Sequence, residues 1–413
     1  MHSEGKVMIS QVRTRLLVCL CALLLFGTVA VASALAQSST VEKVLSGAMR
    51  PDDELLIFSH SDTLYPSATV ARKGPVRVLP QAEKQLDNVH FQIDGRWFDL
   101  YDYLACNRVV GMLILKDGKI VFEDYELGVK PETHWASFSV AKSVSSTLIG
   151  VALQQGLLHS VDDPVTTYVP ALRGSAYDGV TVRNLLQTAS GVRWDESYWD
   201  TKSDVSQISV TLAAQKPGGV VNYMRRLPRA AAPGSVFNYS TGETYLVGPV
   251  IEGATHKPLA TFLSESLWSQ LGMESDATWW LESPGGMGLA GAGIGATLRD
   301  YARFGLFVQQ DGEVNGKRLV PQGWFREAGS AHVVGGKSID YGYLWWPLPK
   351  GDPIHQGAFE AQGIFGQFIY INPKEKLVIV ALCARSKTMG VTGVDDDTFF
   401  AAVARALQYL LPA

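Results

Sequence analysis

Cysteine is scarce: there are four in 413 residues, and two of them, Cys19 and Cys21, sit inside an N-terminal apolar run. The remaining two, Cys106 and Cys383, do not make a disulfide framework, and whether they pair stays open at this level. The eight histidines are scattered, with no His-Glu-x-x-His and no Cys/His pair at ligand spacing. No metal site and no cofactor are expected from that pattern. No Gly-x-Ser-x-Gly elbow occurs, which excludes the α/β-hydrolase arrangement. Basic charge is not in excess either: Lys and Arg number 36 against 40 Asp and Glu, a net charge of −4. Nothing in that balance draws the chain to nucleic acid or to an anionic membrane surface. Internal repeats, low-complexity tracts and any second long apolar run are also missing.

The first apolar run has a meaning of its own. Lys6, Arg13 and Arg15 precede it, it spans 16–32, and Ala34-Leu35-Ala36 follows. Basic segment, apolar segment and small residues at the two positions a signal peptidase reads are the order of a secretory signal. The run falls short of the ~20 residues of a bilayer span. Residues 1–36 are therefore expected to be removed, the exported chain to begin at Gln37, and the protein to be secreted or periplasmic with no stable membrane span.

Hydrophobic residues make up 46 % of the chain, a globular rather than a disordered composition. Residues 37–95, with Pro51, Pro66, Pro75 and Pro80, read as an extended lead-in wrapped on a main domain at 96–413. Within that domain 96–105 has helical periodicity. A buried strand at 109–115 follows, then the turn Lys116-Asp117-Gly118-Lys119 and a partner strand at 120–125. A helix with few polar positions starts near Ser139 and stops at Gly156. Residues 157–300 read as a mainly helical lobe. Strands return at 341–346, 359–362, 367–371 and 377–383, and an amphipathic helix closes the chain at 396–411. The expected class is α+β: an antiparallel sheet flanked by N- and C-terminal helices, with an inserted helical lobe.

Three short stretches carry chemistry. Ser139-Val140-Ala141-Lys142 places a hydroxyl and an amine one helical turn apart, so the amine can take the proton that makes a serine nucleophilic. The helix start adds free N–H groups and partial positive charge where an anion develops. Tyr239, in Pro233-Gly234-Ser235-Val236-Phe237-Asn238-Tyr239-Ser240-Thr241, stands on a loop before the next helix, and a phenol beside an ammonium can share a proton. Ala361-Gln362-Gly363-Ile364-Phe365-Gly366-Gln367 puts glycines at a strand edge, where a substrate can approach the backbone and a free N–H can meet an oxyanion. Two other stretches are weaker. Gly291-Ala292-Gly293-Ile294-Gly295-Ala296 fits a loose dinucleotide fingerprint, but only a Ser-Pro-Gly-Gly turn precedes it where such a site needs a strand. His355-Gln356-Gly357 is an alternative to the Gly363 stretch and ranks second to it.

Together and in this order, the three stretches resemble the serine β-lactamase and DD-peptidase superfamily. Within it the sequence is most similar to class C β-lactamase-related hydrolases, above all the 6-aminohexanoate-dimer (nylon-oligomer) hydrolase group. Further segments carry the likeness: the strand, Asp-Gly-Lys turn and strand up to Tyr125; Thr181-Val182-Arg183-Asn184-Leu185-Leu186 with Ser190-Gly191; Trp194-Asp195-Glu196-Ser197-Tyr198; and Thr297-Leu298-Arg299-Asp300-Tyr301-Ala302-Arg303-Phe304-Gly305. The resemblance implies that Ser139 is acylated, that Lys142 and Tyr239 share its proton, and that the N–H groups of Ser139 and Ile364 form the oxyanion hole. It implies substrate contacts at Tyr198, Gly363 and Gln367, and a small amide or ester as substrate. Two positions depart from class C β-lactamases. Thr241 stands two residues after the tyrosine where they carry Asn, and Ala361 replaces a Lys. Both changes remove groups that bind β-lactams. The alternatives are a true β-lactamase or DD-peptidase and, from another class, a non-catalytic penicillin-recognising or wall-binding protein.

Overall fold

Valine, isoleucine and leucine fill Val109–Lys116 (β1), and all but its last residue are buried. Asp117 and Gly118 both take positive φ, 52° and 75°, the conformation a two-residue hairpin turn requires, and the chain returns as Lys119–Tyr125 (β2). Four strands from the far end of the sequence complete the sheet: Trp346–Pro347 (β3), Phe359–Gly363 (β4), Gln367–Asn372 (β5) and Leu377–Cys383 (β6). The order is β3-β4-β5-β6-β1-β2, antiparallel throughout. This is a computed structural model, and it describes residues 40–348, 351–388 and 393–410. The expected signal segment and Gln37 lie outside them.

Five helices frame the sheet and the site: α1 (Pro51–Ser59), α2 (Val140–Gln154), α3 (Thr241–Thr255), α4 (Leu298–Gln309) and α5 (Asp396–Leu410). Alternation along the strands gives the sheet two apolar faces. Leu113, Leu115, Ile369 and Val378 face the larger core with α2 and α4, whereas Met112, Ile114, Tyr370 and Ile379 face a smaller core under α5. The motif at the start of α4 is explained by packing. Thr297 caps the helix by accepting from the Asp300 N–H, and the buried Asp300 carboxylate accepts from the N–H groups of Glu274 and Ser275 and from Arg303. A β-carbon at Gly305 would lie 2.6 Å from Val378, so glycine lets α4 rest on the sheet.

Several expectations need correction. The lead-in is not simply extended: residues 40–46 are helical, α1 follows, and Ser67–Val70 and His90–Ile93 are strands. Residues 96–99 form a strand, and the helix begins only at Leu100, where Asp99 and Asp102 make a capping box. The 157–300 segment carries short helices and the longer α3 joined by long loops, and it contributes Ala277–Trp280 and Ile294–Ala296 to a second sheet with Ser67–Val70 and Trp135–Ala136. The glycine-rich stretch follows the turn at Ser283–Gly286, as expected, and runs into the strand Ile294–Ala296 instead of opening a helix. Residues 341–345 are not strand, because their aromatic side chains pack inward around turns; only Trp346–Pro347 joins the sheet. Cys106, exposed, and Cys383, buried, are free thiols.

Candidate active site

Phe138, immediately before Ser139, has φ 43°, and Phe365, after Ile364, has φ 65°. Bulky residues take that conformation only when packing over-determines it. Here the two rings lie 5.4 Å apart, and Phe58 of α1 packs 4.9 Å from each. One aromatic cluster thus fixes both segments whose N–H groups matter. Neither the Ser139 nor the Ile364 N–H has an acceptor among the described residues. Ser137 secures the same segment from the other side: its N–H donates to Ile294 O at 2.7 Å, and its hydroxyl accepts from the Ile294 N–H.

Ser139 leads into α2, and Lys142 lies one turn along it with 2 % of its surface exposed. The ammonium has three donors and three partners: Ser139 Oγ at 2.9 Å, Thr241 Oγ1 at 3.1 Å and the Gly291 carbonyl at 2.9 Å. Burial disfavours the charged form and pulls its pKa down to about 8, while Glu196 opposes the shift. Tyr239 lines the same cleft as Ser139, and its ring lies 5.3 Å from Lys142 Nζ. Trp346 stacks on that ring at 5.6 Å and Tyr341 meets it edge-on. Burial, and then Glu196, push the phenol well above its ordinary value. The two groups therefore part in character: the amine gives up its proton far more readily than an exposed lysine, and the phenol keeps its own.

Glu196 and Thr241 complete the site, and neither was singled out from the sequence as a site residue. The Glu196 carboxylate accepts from Thr241 N–H at 3.0 Å, Thr241 Oγ1 at 2.5 Å, Tyr198 Oη at 2.8 Å and the Trp194 indole. Thr241 in turn accepts from Lys142, so a carboxylate reaches the amine through one hydroxyl. Glu196 lies in the Trp194–Tyr198 loop, but nothing in its spacing to Lys142 announces the contact.

Ser139, Tyr239, Tyr198, Gly363 and Ile364 line one cleft of about 580 Å³. Gln367 does not line it. Its side chain is fully buried, accepting from Trp135 Nε1 and Cys383 N–H and donating to Cys383 O, which commits it to holding strands together. Gly363 lies at the cleft, but a β-carbon there would strike the Ser137 carbonyl at 2.6 Å; the glycine makes room for backbone, where space for an acyl group was expected. His355 sits apart, its ring between Tyr370 Oη and the Asp397 carbonyl under α5. Gly291 serves the site through its carbonyl.

The Beta-lactamase family model matches residues 107–403. The chain belongs to that family. A 6-aminohexanoate-dimer hydrolase of Paenarthrobacter ureafaciens is 27 % identical over 339 residues, spanning 79 % of this chain and 84 % of its own. A solved Bacillus anthracis protein assigned as a 6-aminohexanoate-dimer hydrolase superposes with a TM-score of 0.75 at 25 % identity, covering 86 % of this chain and 95 % of the other. A class C β-lactamase shares the fold, with a TM-score of 0.55 at 18 % identity over 75 % of this chain and 94 % of its own. This member of the Beta-lactamase family is thus a serine hydrolase with the β-lactamase/transpeptidase-like α+β fold.

Proposed function

We propose that the protein is an exported hydrolase that cleaves a small linear amide or ester through an acyl-enzyme on Ser139. The observation that carries this is the Ser139–Lys142–Tyr239 constellation at the floor of a cleft, beside two N–H groups with no acceptor of their own. Ser139 Oγ attacks the substrate carbonyl carbon as its proton passes to the neutral amine of Lys142. The oxyanion is held by the Ser139 and Ile364 N–H groups. The bond to the leaving group breaks, and the leaving nitrogen or oxygen takes the proton back through Tyr239. Water then attacks the ester, surrenders a proton to the same pair and frees the acid, restoring Ser139.

The preference for a linear amide rests on the named activity of the two relatives and on Tyr198. The Tyr198 proton is directed at Glu196, which leaves the phenol oxygen free to accept an N–H from a scissile amide; an ester offers none. A panel of nitrophenyl esters, linear amides and a chromogenic cephalosporin tests the reading. Tyr198→Phe should lower kcat/KM for an amide by a few-fold more than for its matched ester, since one neutral hydrogen bond contributes about 0.5–1.5 kcal/mol. Equal losses on both would reduce Tyr198 to a packing residue, and a cephalosporin as the best substrate would favour the β-lactamase reading.

Export rests on the order of segments in residues 1–36; no described helix is long and apolar enough to cross a membrane. N-terminal sequencing of the exported protein should read from Gln37, whereas Met1 recovered with the membrane fraction would make the segment an anchor.

A further inference from the structure

Glu54 is an anomaly on α1. It is fully buried, and neither oxygen of its carboxyl has a hydrogen-bond partner among the described residues. It lies one helical turn before the equally buried Phe58, so the two side chains share the inward face of α1, while Leu56 is exposed on the other. Two charged groups face Glu54: Arg108, just before β1, and Lys387, beyond β6. Both favour its charged form. Neither donates to it, because both hold backbone instead. Arg108 donates to the Ala384 carbonyl at 2.6 Å and the Pro51 carbonyl at 3.3 Å, and Lys387 to the Gly47 carbonyl at 2.9 Å. Burial outweighs the two cations and pushes the Glu54 pKa up to about 7.

We infer that α1 is a positioning element of the oxyanion hole, and that its hold on the rest of the chain depends on the Glu54 carboxyl being neutral. The inference rests on the Ser139 and Ile364 N–H groups forming that hole. Phe58 touches both Phe138 and Phe365, the two residues at positive φ that flank those groups. If α1 lifts, that backbone loses the packing that maintains its strained conformation, and the two donors lose their placement. Ionising Glu54 where it sits creates a charge with no donor to meet it, which is strongly disfavoured, so the charged form loosens the seat. A carboxyl released to water titrates near ~4.3. The seat is therefore firmest below that pH and weakens as pH rises towards 7. The lead-in, which the sequence presents as a mere wrapping, thereby takes part in the site through Phe58.

Hydrogen exchange of the α1 amides in the exported protein tests the seat. From pH 5 to pH 8, their protection in Glu54→Gln relative to the wild type should rise about ten-fold or more, since only the wild type gains a buried charge. Any fixed cost of the amide side chain cancels in that comparison. A ratio that stays constant, or that falls because Arg108 or Lys387 takes up the carboxylate, overturns the role of Glu54. Phe58→Leu, which keeps an apolar side chain without the ring, tests the positioning. It should lower kcat for a nitrophenyl ester, and the rate at which a phosphonate labels Ser139, by roughly ten-fold or more with KM nearly unchanged, one oxyanion donor being worth about 10²–10³. Folded Phe58→Leu protein that turns over and is labelled at wild-type rates overturns the positioning and leaves the catalytic reading standing. Wild-type protein that is never labelled at Ser139 overturns the catalytic reading, and with it the oxyanion role of α1.

Discussion

Ser139→Ala should leave no measurable turnover of any ester or amide, and a phosphonate that labels the wild-type protein at Ser139 should fail to label the variant. Lys142→Ala and Tyr239→Phe should each lower kcat/KM by roughly 10²–10⁴-fold, the range for a positioned acid or base. Their effects should not multiply. Both groups handle one proton, so once the relay is cut at Lys142 the phenol has little left to pass on. The geometry also ranks them. Burial brings the Lys142 pKa to about 8 and drives that of Tyr239 upwards, so the amine accepts the proton first and its loss should be the larger. Purified Ser139→Ala protein with normal activity would sink the assignment of the nucleophile.

The second large effect is expected at Glu196. In the wild type, kcat/KM should rise with pH through a limb near 8, the pKa of Lys142, because in the proposed mechanism only the neutral amine accepts the Ser139 proton. The Glu196 carboxylate favours the ammonium, so its removal lowers the Lys142 pKa. In Glu196→Gln the limb should therefore move to lower pH. At the plateau the rate should fall by roughly 10–100-fold, since Thr241, which accepts from the ammonium that forms during attack, loses its own charge-assisted bond to the carboxylate, worth about 1.5–3 kcal/mol. Glutamine is chosen because it keeps acceptor capacity for Thr241 and Tyr198, whereas alanine would strand four donors. A full pH profile distinguishes this from packing. A variant that is merely less stable, with its limb still near 8, would make Glu196 a structural residue.

The pairing of Lys142 with Thr241 and Glu196 also gives physical content to one departure from class C β-lactamases. Where they carry an amide two residues after the tyrosine, this chain has a hydroxyl, and the hydroxyl links the amine to a carboxylate. The other departure leaves Ala361 fully buried and without a polar group. Arg385 and Lys387 reach the cleft rim, but each has a partner within the protein: Arg385 is ion-paired to Asp396, and Lys387 donates to the Gly47 carbonyl.

Local chemistry made much of this protein legible from its residues alone. The Asp117-Gly118 hairpin, the apolar strands β1 and β4–β6, the buried helix from Ser139 to Gly156 and the three-residue spacing of Ser139 and Lys142 all depend on neighbours along the chain, where periodicity, turn propensity and helix geometry apply directly. Tertiary structure alone decided the rest. Phe58 braces Phe138 and Phe365 because segments remote in sequence meet there. The lead-in folds into helices because its apolar residues, among them Val41, Val44 and Phe58, find a core supplied by the main domain. Glu196 acquires its place beside Lys142 through Thr241, and Gln367 turns away from substrate because the donors and acceptor that satisfy its amide, Trp135 and Cys383, come from other strands. A single sequence records which groups a residue carries, but which of them are desolvated, satisfied or left free depends on long-range contacts, and those decide whether a group holds the fold together or faces the substrate.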